Sequence, residues 1–521
     1  MQIREHAEAT PDKPAVILYP SGKTVTFAQM EARANQLAHL FRQAGLSEGD
    51  AVAILQENNE HFHTVMWAAR RSGLYYVPIN THLTPAEAAY IIDNCEAKAI
   101  IGSAALSETL AGLGAELPNG LPKLLIIADG AETSATNGSS ALDGWLSYPE
   151  CVADQPDTPI DDEIEGDLLQ YSSGTTGRPK GIKRDLPHLP PSEAPGLMSA
   201  LVGFWMDPNG VYLSPAPLYH TAPSVWSLSM LGGGITVVVL EKFDAEGTLD
   251  AIQRHGVTHG QFVPVMFTRM LKLPESVRNS YDISSLQRVM HAAAPCPVEI
   301  KKQIIDWWGP IVDEYYASSE AIGSTLISAE EWLAHPGSVG KSMLGTVHIL
   351  DEDGKELPPG EPGEIYFEGG NTFEYLNDSE KTSAARHSEG WMTVGDIGYV
   401  DEEGYLYLTD RRHHMIISGG VNIYPQEAEN MLVTHPRVMD AAVFGVPDDE
   451  MGQSVKGVVQ LVDPAEASDE LAEELSAWLR DRLAHYKCPR SISFEAQLPR
   501  TDTGKLYKQE LIVKYSPAPT G

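Results

Sequence analysis

At 521 residues the chain exceeds one ordinary hydrophobic core, and a prior of roughly 150 residues per domain gives about three or four units. Hydrophobic residues make up 42% of it, while 37 Lys and Arg stand against 72 Asp and Glu for a formal net charge of −35. A surface that acidic repels nucleic acid and anionic membrane, so neither is an expected partner, and an anionic substrate must be met by local positive groups. The four cysteines, Cys95, Cys151, Cys296 and Cys488, are widely separated and lack metal-ligand spacing, which reads as reduced thiols. The start, MQIREHAEATPDKPAV, has no apolar signal region, and no apolar run is long enough to span a bilayer. A cytoplasmic protein is expected.

In chain order, TFAQMEARANQLAHLF predicts a helix, with Thr26 and Gln29 in capping-box spacing and Met30, Ala34, Leu37 and Phe41 on one stripe. AVAILQEN follows as a buried strand ending near Asn58 and Asn59. GITVVVLEKF predicts a strand, DAEGTLDAIQRHG a helix closed by Gly256, THGQFVPVM a strand, and the next helix begins near Phe267. This alternation predicts an α/β fold with parallel-rich sheets covered by helices and ligands at the carboxyl ends of strands. Past about residue 410 the composition changes. HPRVMDAAVFGVPDDEMGQSVKGVVQLVD is strand-rich, and DELAEELSAWLRDRLA sets Leu471, Leu475, Trp478, Leu479 and Leu483 on one helical face. The expected division is a large domain over 1–410 and a small α+β domain over 411–521, whose tail SPAPTG is frayed.

Between Tyr171 and Asp185 runs YSSGTTGRPKGIKRD. Counted from Gly174, Lys180 falls at the P-loop offset, but Pro179 replaces the required Gly and Gly181 follows where a hydroxyl should bind Mg²⁺. Pro179 also removes a backbone donor from the turn, so this is not a P-loop. It still suits polyphosphate: Ser172, Ser173, Thr175 and Thr176 bring hydroxyls, Gly174 and Gly177 allow close backbone approach, and Lys180 brings a point charge.

SSGTTGRPKG resembles the signature of the adenylate-forming superfamily, which comprises acyl-CoA synthetases, aryl-CoA ligases, amino-acid adenylation domains and firefly luciferase. The resemblance recurs in order at PLYHTA, HAAAP, YYASSE, GWMTVGDIG, DRRHHMIISGGVNIYPQEAE and PRTDTGKL. It is closest to fatty-acyl-CoA synthetases. Such enzymes use ATP and Mg²⁺ to turn a carboxylate into an acyl-adenylate, release pyrophosphate, and pass the acyl group to a thiol such as that of CoA. Both steps bring anions together, so they need positive charge and positioning more than proton transfer.

The resemblance implies roles residue by residue. Ser172 to Lys180 hold the β- and γ-phosphates, with Thr175 and Thr176 the hydroxyl contacts. Glu320, with Thr175, helps bind Mg²⁺. Ser319 stands where the family usually has Thr and keeps a hydroxyl for the α-phosphate; Ala317 replaces a usual Gly. Asp396 takes the ribose hydroxyls, with Val394 in place of the usual Thr, and Arg411 also reaches the ribose. Adenine lies between the turn Ala293, Ala294, Pro295 and the pair Tyr315 and Tyr316. Lys505 in PRTDTGKL bridges the substrate carboxylate and the α-phosphate. After adenylation the small domain swings, withdrawing Lys505 and bringing the loop of Ser418, Gly419 and Gly420 to the thiol tunnel. The pivot is His413, where the family usually carries Asp or Lys. Either any polar residue serves at such an exposed hinge, or His413, with an intrinsic pKa of roughly 6.5, makes that rotation respond to pH near neutrality.

The family's acid pocket maps onto His220, Ala222, Trp226, Gln261, Phe262, Met266, Ala292 and Ala317. These are mostly apolar, with no Asp placed to anchor an α-amino group, which favours a fatty or aryl acid over an amino acid. His220 stands between acid pocket and thiol tunnel. Lys456, Arg482, Lys487 and Arg490 are candidates for CoA phosphates. The alternative acceptor is a carrier protein's phosphopantetheine in place of free CoA. The sequence leaves a homodimer open.

Overall fold

The computed structural model describes residues 2–122, 124–127, 142, 144–172, 179–194, 207, 209–411, 414–419, 421–448, 450–500 and 506–516, without the side chains of Pro149, Asp410, Arg411 and Asn422. The described chain packs as two compact units. The first holds residues 1–261 with two short later segments, 284–286 and 372–383; the second holds the remainder. This packing boundary lies elsewhere than residue 410, because residues 384–521 pack in one unit with 287–371.

In the first unit a six-stranded sheet runs in the order Leu146–Ser147, Leu124–Ile127, Ala99–Gly102, Ala51–Leu55, Tyr75–Pro78, Asp167–Leu168. Every pairing in it is parallel. Its central strand AVAIL is buried at all five positions, as a strand covered on both faces requires. The helix Phe27–Gln43 opens with the predicted reciprocal Thr26–Gln29 capping box. Val211–Ser214, Thr236–Leu240 and Pro14–Tyr19 form a second parallel set. The helix Ala245–His255 is capped by Asp244 and closed by Gly256 at φ +59°. The strand expected over THGQFVPVM stops at Phe262, and the helix starts at Pro264 rather than near Phe267. Pro264 sits in the first turn, where its fixed φ favours helix and its missing N–H costs nothing.

In the second unit Arg288–His291 pairs in parallel with Val312–Ala317. Antiparallel strands Ser324–Ile327, Ser338–Leu344, Leu406–Arg411, Met392–Val400, Gly363–Glu368 and Thr346–Leu350 continue from there. The same unit holds a sheet built on the long hairpin Val438–Asp448 and Gly452–Leu461. That sheet is covered on both faces, which explains the continuous apolar run in VMDAAVFGV. Ala441 and Val443 face a core with Leu471, Leu475 and Leu479, while Ala442 and Phe444 face another with Leu498 and Leu511. The helix Asp469–Arg480 is shorter than its apolar pattern, so Leu483 packs from beyond its end. Trp478 stays half-buried, with the Arg482 guanidinium 3.5 Å above its ring centroid.

Candidate active site

The Ser/Gly-rich loop of the first unit is a hairpin connection. Gln170–Ser172 and Lys180–Lys183 pair antiparallel, with Ser172 opposite Lys180 and Tyr171 opposite Gly181. A P-loop instead joins a strand to a helix N-terminus, whereas here the described chain resumes at Pro179 and enters a strand at Lys180. Ser173, Gly174, Thr175, Thr176 and Gly177 lie outside the described residues. Lys180 is held at the loop's base, 4.0 Å from Asp378 and 5.7 Å over the Tyr375 ring. Burial lowers its pKa while Asp378 opposes the shift.

The PLYHTA segment is fixed from below by Asn58, a residue to which sequence reasoning gave no role. Its buried amide donates to the Ala216 and Leu240 carbonyls at 3.2 and 2.8 Å and accepts the Leu218 N–H at 2.8 Å. His220 immediately precedes the helix Thr221–Gly232, its ring tilted against Tyr219 at 4.5 Å. The Gln170 amide donates to the Tyr219 carbonyl at 3.3 Å, tying the hairpin to this segment. On the helix, Trp226 is buried and Ala222 half-buried. Gln261 and Phe262 are both buried, but as successive strand residues they face opposite sides. The Phe262 ring lies 5.6 Å from Phe267 and 5.5 Å from Trp308, within an aromatic core, and Met266 and Ala292 are buried in the same unit.

In the second unit the expected nucleotide residues gather at the carboxyl ends of two parallel strands. Arg288–His291 ends in the turn Ala292–Pro295, where Ala293 takes φ +75°. That conformation is costly for a residue with a Cβ and marks a constrained position. Val312–Ala317 carries Tyr315 and Tyr316 beside it, both half-buried, and leaves Ala317 exposed. The Tyr316 hydroxyl donates to Asp396 Oδ2 at 2.6 Å, and Asp396 is only 7% exposed. Asp396 stands in register opposite Arg411, so the two residues assigned to the ribose are cross-strand neighbours. Val394 lacks a hydroxyl, but the adjacent Thr393 Oγ1 accepts the Gly395 N–H at 3.0 Å and donates to Glu364 at 3.1 Å. Phe367 packs at 6.2 Å from the Tyr316 ring. A Cβ on Gly323 would fall 2.0 Å from Phe367, so only glycine fits there. Glu320 is buried at 8% exposure one position after the half-buried Ser319.

Lys505 and His413 lie outside the described residues, as does Gly420. The chain on either side of Lys505 is firmly held. Arg500 bridges Leu506, and its guanidinium grips buried Asp440 through both carboxylate oxygens, Nη2 to Oδ1 at 2.7 Å. Lys508 Nζ lies 2.8 Å from Glu429 Oε1. Ser418 is buried at the end of Ile416–Ser418, and Gly419 turns the hairpin at φ +57° against Met451. The four basic residues assigned to CoA each have partners within the unit. Lys456 reaches Ser491 and Ser493 at 3.1 and 2.7 Å. Arg482 stacks on Trp478, Lys487 pairs with Glu427, and Arg490 sits 3.5 Å from Asp448. Among the described residues no cluster of three His, Cys, Asp or Glu side chains is placed to hold a metal, and no helix is long and apolar enough to cross a membrane.

The sequence profile of the AMP-binding enzyme family matches residues 3–375, and that of the AMP-binding enzyme C-terminal domain matches residues 427–505. The chain is 33% identical over 495 residues to a feruloyl-CoA synthase of an Amycolatopsis species, covering 94% of each. It is 31% identical over 519 residues to the long-chain-fatty-acid–CoA ligase FadD13 of Mycobacterium tuberculosis, covering 99% of this chain and 98% of that one. The crystal structure of ATP-bound MatB from Rhodopseudomonas palustris superposes with a TM-score of 0.78 at 27% identity, over 99% of both chains. With the ordered motifs, the parallel strand ends and these profile matches in agreement, the chain is an enzyme of the AMP-binding, adenylate-forming superfamily, among relatives named as acid–thiol ligases.

Proposed function

We propose that the protein is an ATP-dependent acyl-CoA synthetase for a fatty or aryl carboxylic acid. A substrate carboxylate oxygen bonds to the α-phosphorus of ATP while the bond to pyrophosphate breaks. The CoA sulfur then bonds to the acyl carbon and AMP leaves. The observation that carries this reading is the Tyr316–Asp396 hydrogen bond beside the Ala293 turn, with Arg411 in register. It supplies a buried carboxylate acceptor for two ribose hydroxyls next to an aromatic face that suits a flat base. Lys180 and the Ser172–Gly177 hydroxyls receive the pyrophosphate end, and Ser319 the α-phosphate. Buried Glu320 fits Mg²⁺, which needs only one or two carboxylates when it arrives with phosphates and water. Lys505 lowers the charge between carboxylate and α-phosphate. The small domain, 411–521, pivots at His413 between the half-reactions and brings Ser418 and Gly419 to the thiol path. Trp226, Ala222 and Gln261 shape the acid site, with His220 at its mouth.

Mass spectrometry after incubation with ATP, Mg²⁺ and a panel of fatty and aryl acids, with and without CoA, tests this. Acyl-CoA formed only when CoA is present supports the reading and names the acid class. Acyl-AMP and pyrophosphate without thioester would replace CoA by a carrier protein, and absence of ATP-dependent products would overturn it.

A further inference from the structure

Lys301 is fully buried, and so is His291. A buried ammonium is expensive and persists only when well paired. Lys301 Nζ lies 2.6 Å from Glu314 Oε2 and 4.8 Å over the Trp332 ring. His291 Nε2 approaches the same carboxylate oxygen at 3.3 Å, while Phe267 stands edge-on to the imidazole at 5.5 Å. Burial pushes the Glu314 pKa up, but the adjoining His291 and Lys301 overcome it and hold the carboxylate at about 2. Burial keeps the imidazole pKa below its usual value.

The three residues come from consecutive elements: the strand Arg288–His291, the helix Val298–Trp308 and the strand Val312–Ala317. His291 and Glu314 are direct register partners across the two parallel strands. His291 and Lys301 therefore bracket the strained turn, with Ala293 two positions after His291. Tyr316 lies two positions after Glu314 and carries the bond to Asp396. The ion pair fastens the root of the turn to the root of the tyrosine strand.

We infer that Lys301, Glu314 and His291 are positioning residues that set the spacing between the Ala293–Pro295 turn and Tyr316, and through it the preference for an adenine nucleotide. This rests on the proposed function, which places the base between those two features. None of the three touches substrate in this account. Their effect passes through backbone placement, where displacements near 1 Å can cost up to about 100-fold in rate.

The test is the double variant Lys301→Met/Glu314→Gln, which removes both charges and leaves no buried charge unpaired. Thermal melting and circular dichroism check that it folds, and KM and kcat are measured with ATP, with GTP and with the acid. The expected result is an ATP KM raised about tenfold, a matching fall in ATP-over-GTP preference, and an unchanged KM for the acid. A folded double variant with the parent's ATP KM and nucleotide preference would overturn the inference. Should the double variant not fold, His291→Gln removes no charge and carries the same test. A smaller shift of the same ratio supports the inference, and none overturns it. Asp396→Ala separates the two levels. If it weakens ATP binding while the double variant does not, the triad alone is wrong. If Asp396→Ala leaves ATP binding unchanged, the base does not sit here and both readings fall.

Discussion

Where the strands Arg288–His291 and Val312–Ala317 end, the charged groups are buried and closely paired: Glu314 with Lys301 at 2.6 Å, Asp396 with the Tyr316 hydroxyl at 2.6 Å. At the Ser172–Lys180 hairpin the cation is held loosely, 4.0 Å from Asp378, and the strands beside it are three and four residues long. On the proposed reaction the two regions have different tasks. AMP stays bound through both half-reactions, so its site gains from fixed geometry. Pyrophosphate must leave after the first, so a hairpin with hydroxyls and one moderately held lysine is better suited than a rigid cradle.

The largest effect that would break this comparison is expected at Lys505. Lys505→Ala should lower acyl-adenylate formation by about 100- to 1,000-fold while leaving thioester formation from supplied acyl-AMP nearly intact; equal loss of both half-reactions would contradict its assigned role. Asp440→Ala comes next. It leaves the half-buried Arg500 guanidinium without its carboxylate, which costs about 2 kcal/mol, read as a lowered unfolding midpoint in denaturant. A thermally mild Arg500→Lys should slow adenylation more than thioester formation, because the bidentate grip beside Lys505 is lost.

Asn58→Ala removes three buried hydrogen bonds beneath PLYHTA and strands two carbonyls and one N–H. The expected cost is about 2 to 3 kcal/mol in chemical denaturation. Lys180→Ala should raise the ATP KM by about tenfold and leave AMP binding unchanged, since on the proposed reaction its charge serves the departing phosphates. Equal weakening of ATP and AMP would erase the contrast between the two regions.

The smallest effect concerns pH. His63 is buried, and burial lowers its pKa from 6.5 to about 3. Ser227 Oγ donates to the Pro223 carbonyl, so the His63 Nε2–H is the donor in the 2.8 Å contact with Ser227. The unfolded chain takes up a proton on His63 below pH 6.5 that the folded chain refuses until about pH 3. Stability from this residue is therefore intact above pH 6.5 and falls as pH drops through that window. His63→Gln should flatten the stability profile there, measured by urea melts at pH 7 and pH 5.

What the sequence disclosed and what it hid divide by range. Thr26 with Gln29, and Gly256 after its helix, are local signals, and both hold in the structure. The motif string drew attention to the loop after Ser172, the Ala293 turn and Asp396, because each lies in a short recognisable run. Partnerships set by strand register were not legible. His291, Lys301 and Glu314 meet only because two parallel strands align at 291 and 314. Asn58 bonds to Ala216 and Leu240, far along the chain, and no local pattern announces it. Lys456, Arg482, Lys487 and Arg490 read as available cations in sequence, yet Ser493, Trp478, Glu427 and Asp448 engage them. The early helix start at Pro264 shows turn chemistry outranking an apolar run that suits strand or helix equally.

The proposed reaction splits ATP between its α- and β-phosphates while the nucleotide stays bound. Exchange of radiolabelled pyrophosphate into ATP, measured with a fatty or aryl acid present and CoA absent, addresses that directly. The account predicts label entering ATP only when the acid is present, abolished by Lys505→Ala and reduced by Lys180→Ala. Release of inorganic phosphate from the γ-position, with no exchange for any acid the enzyme consumes, would contradict it.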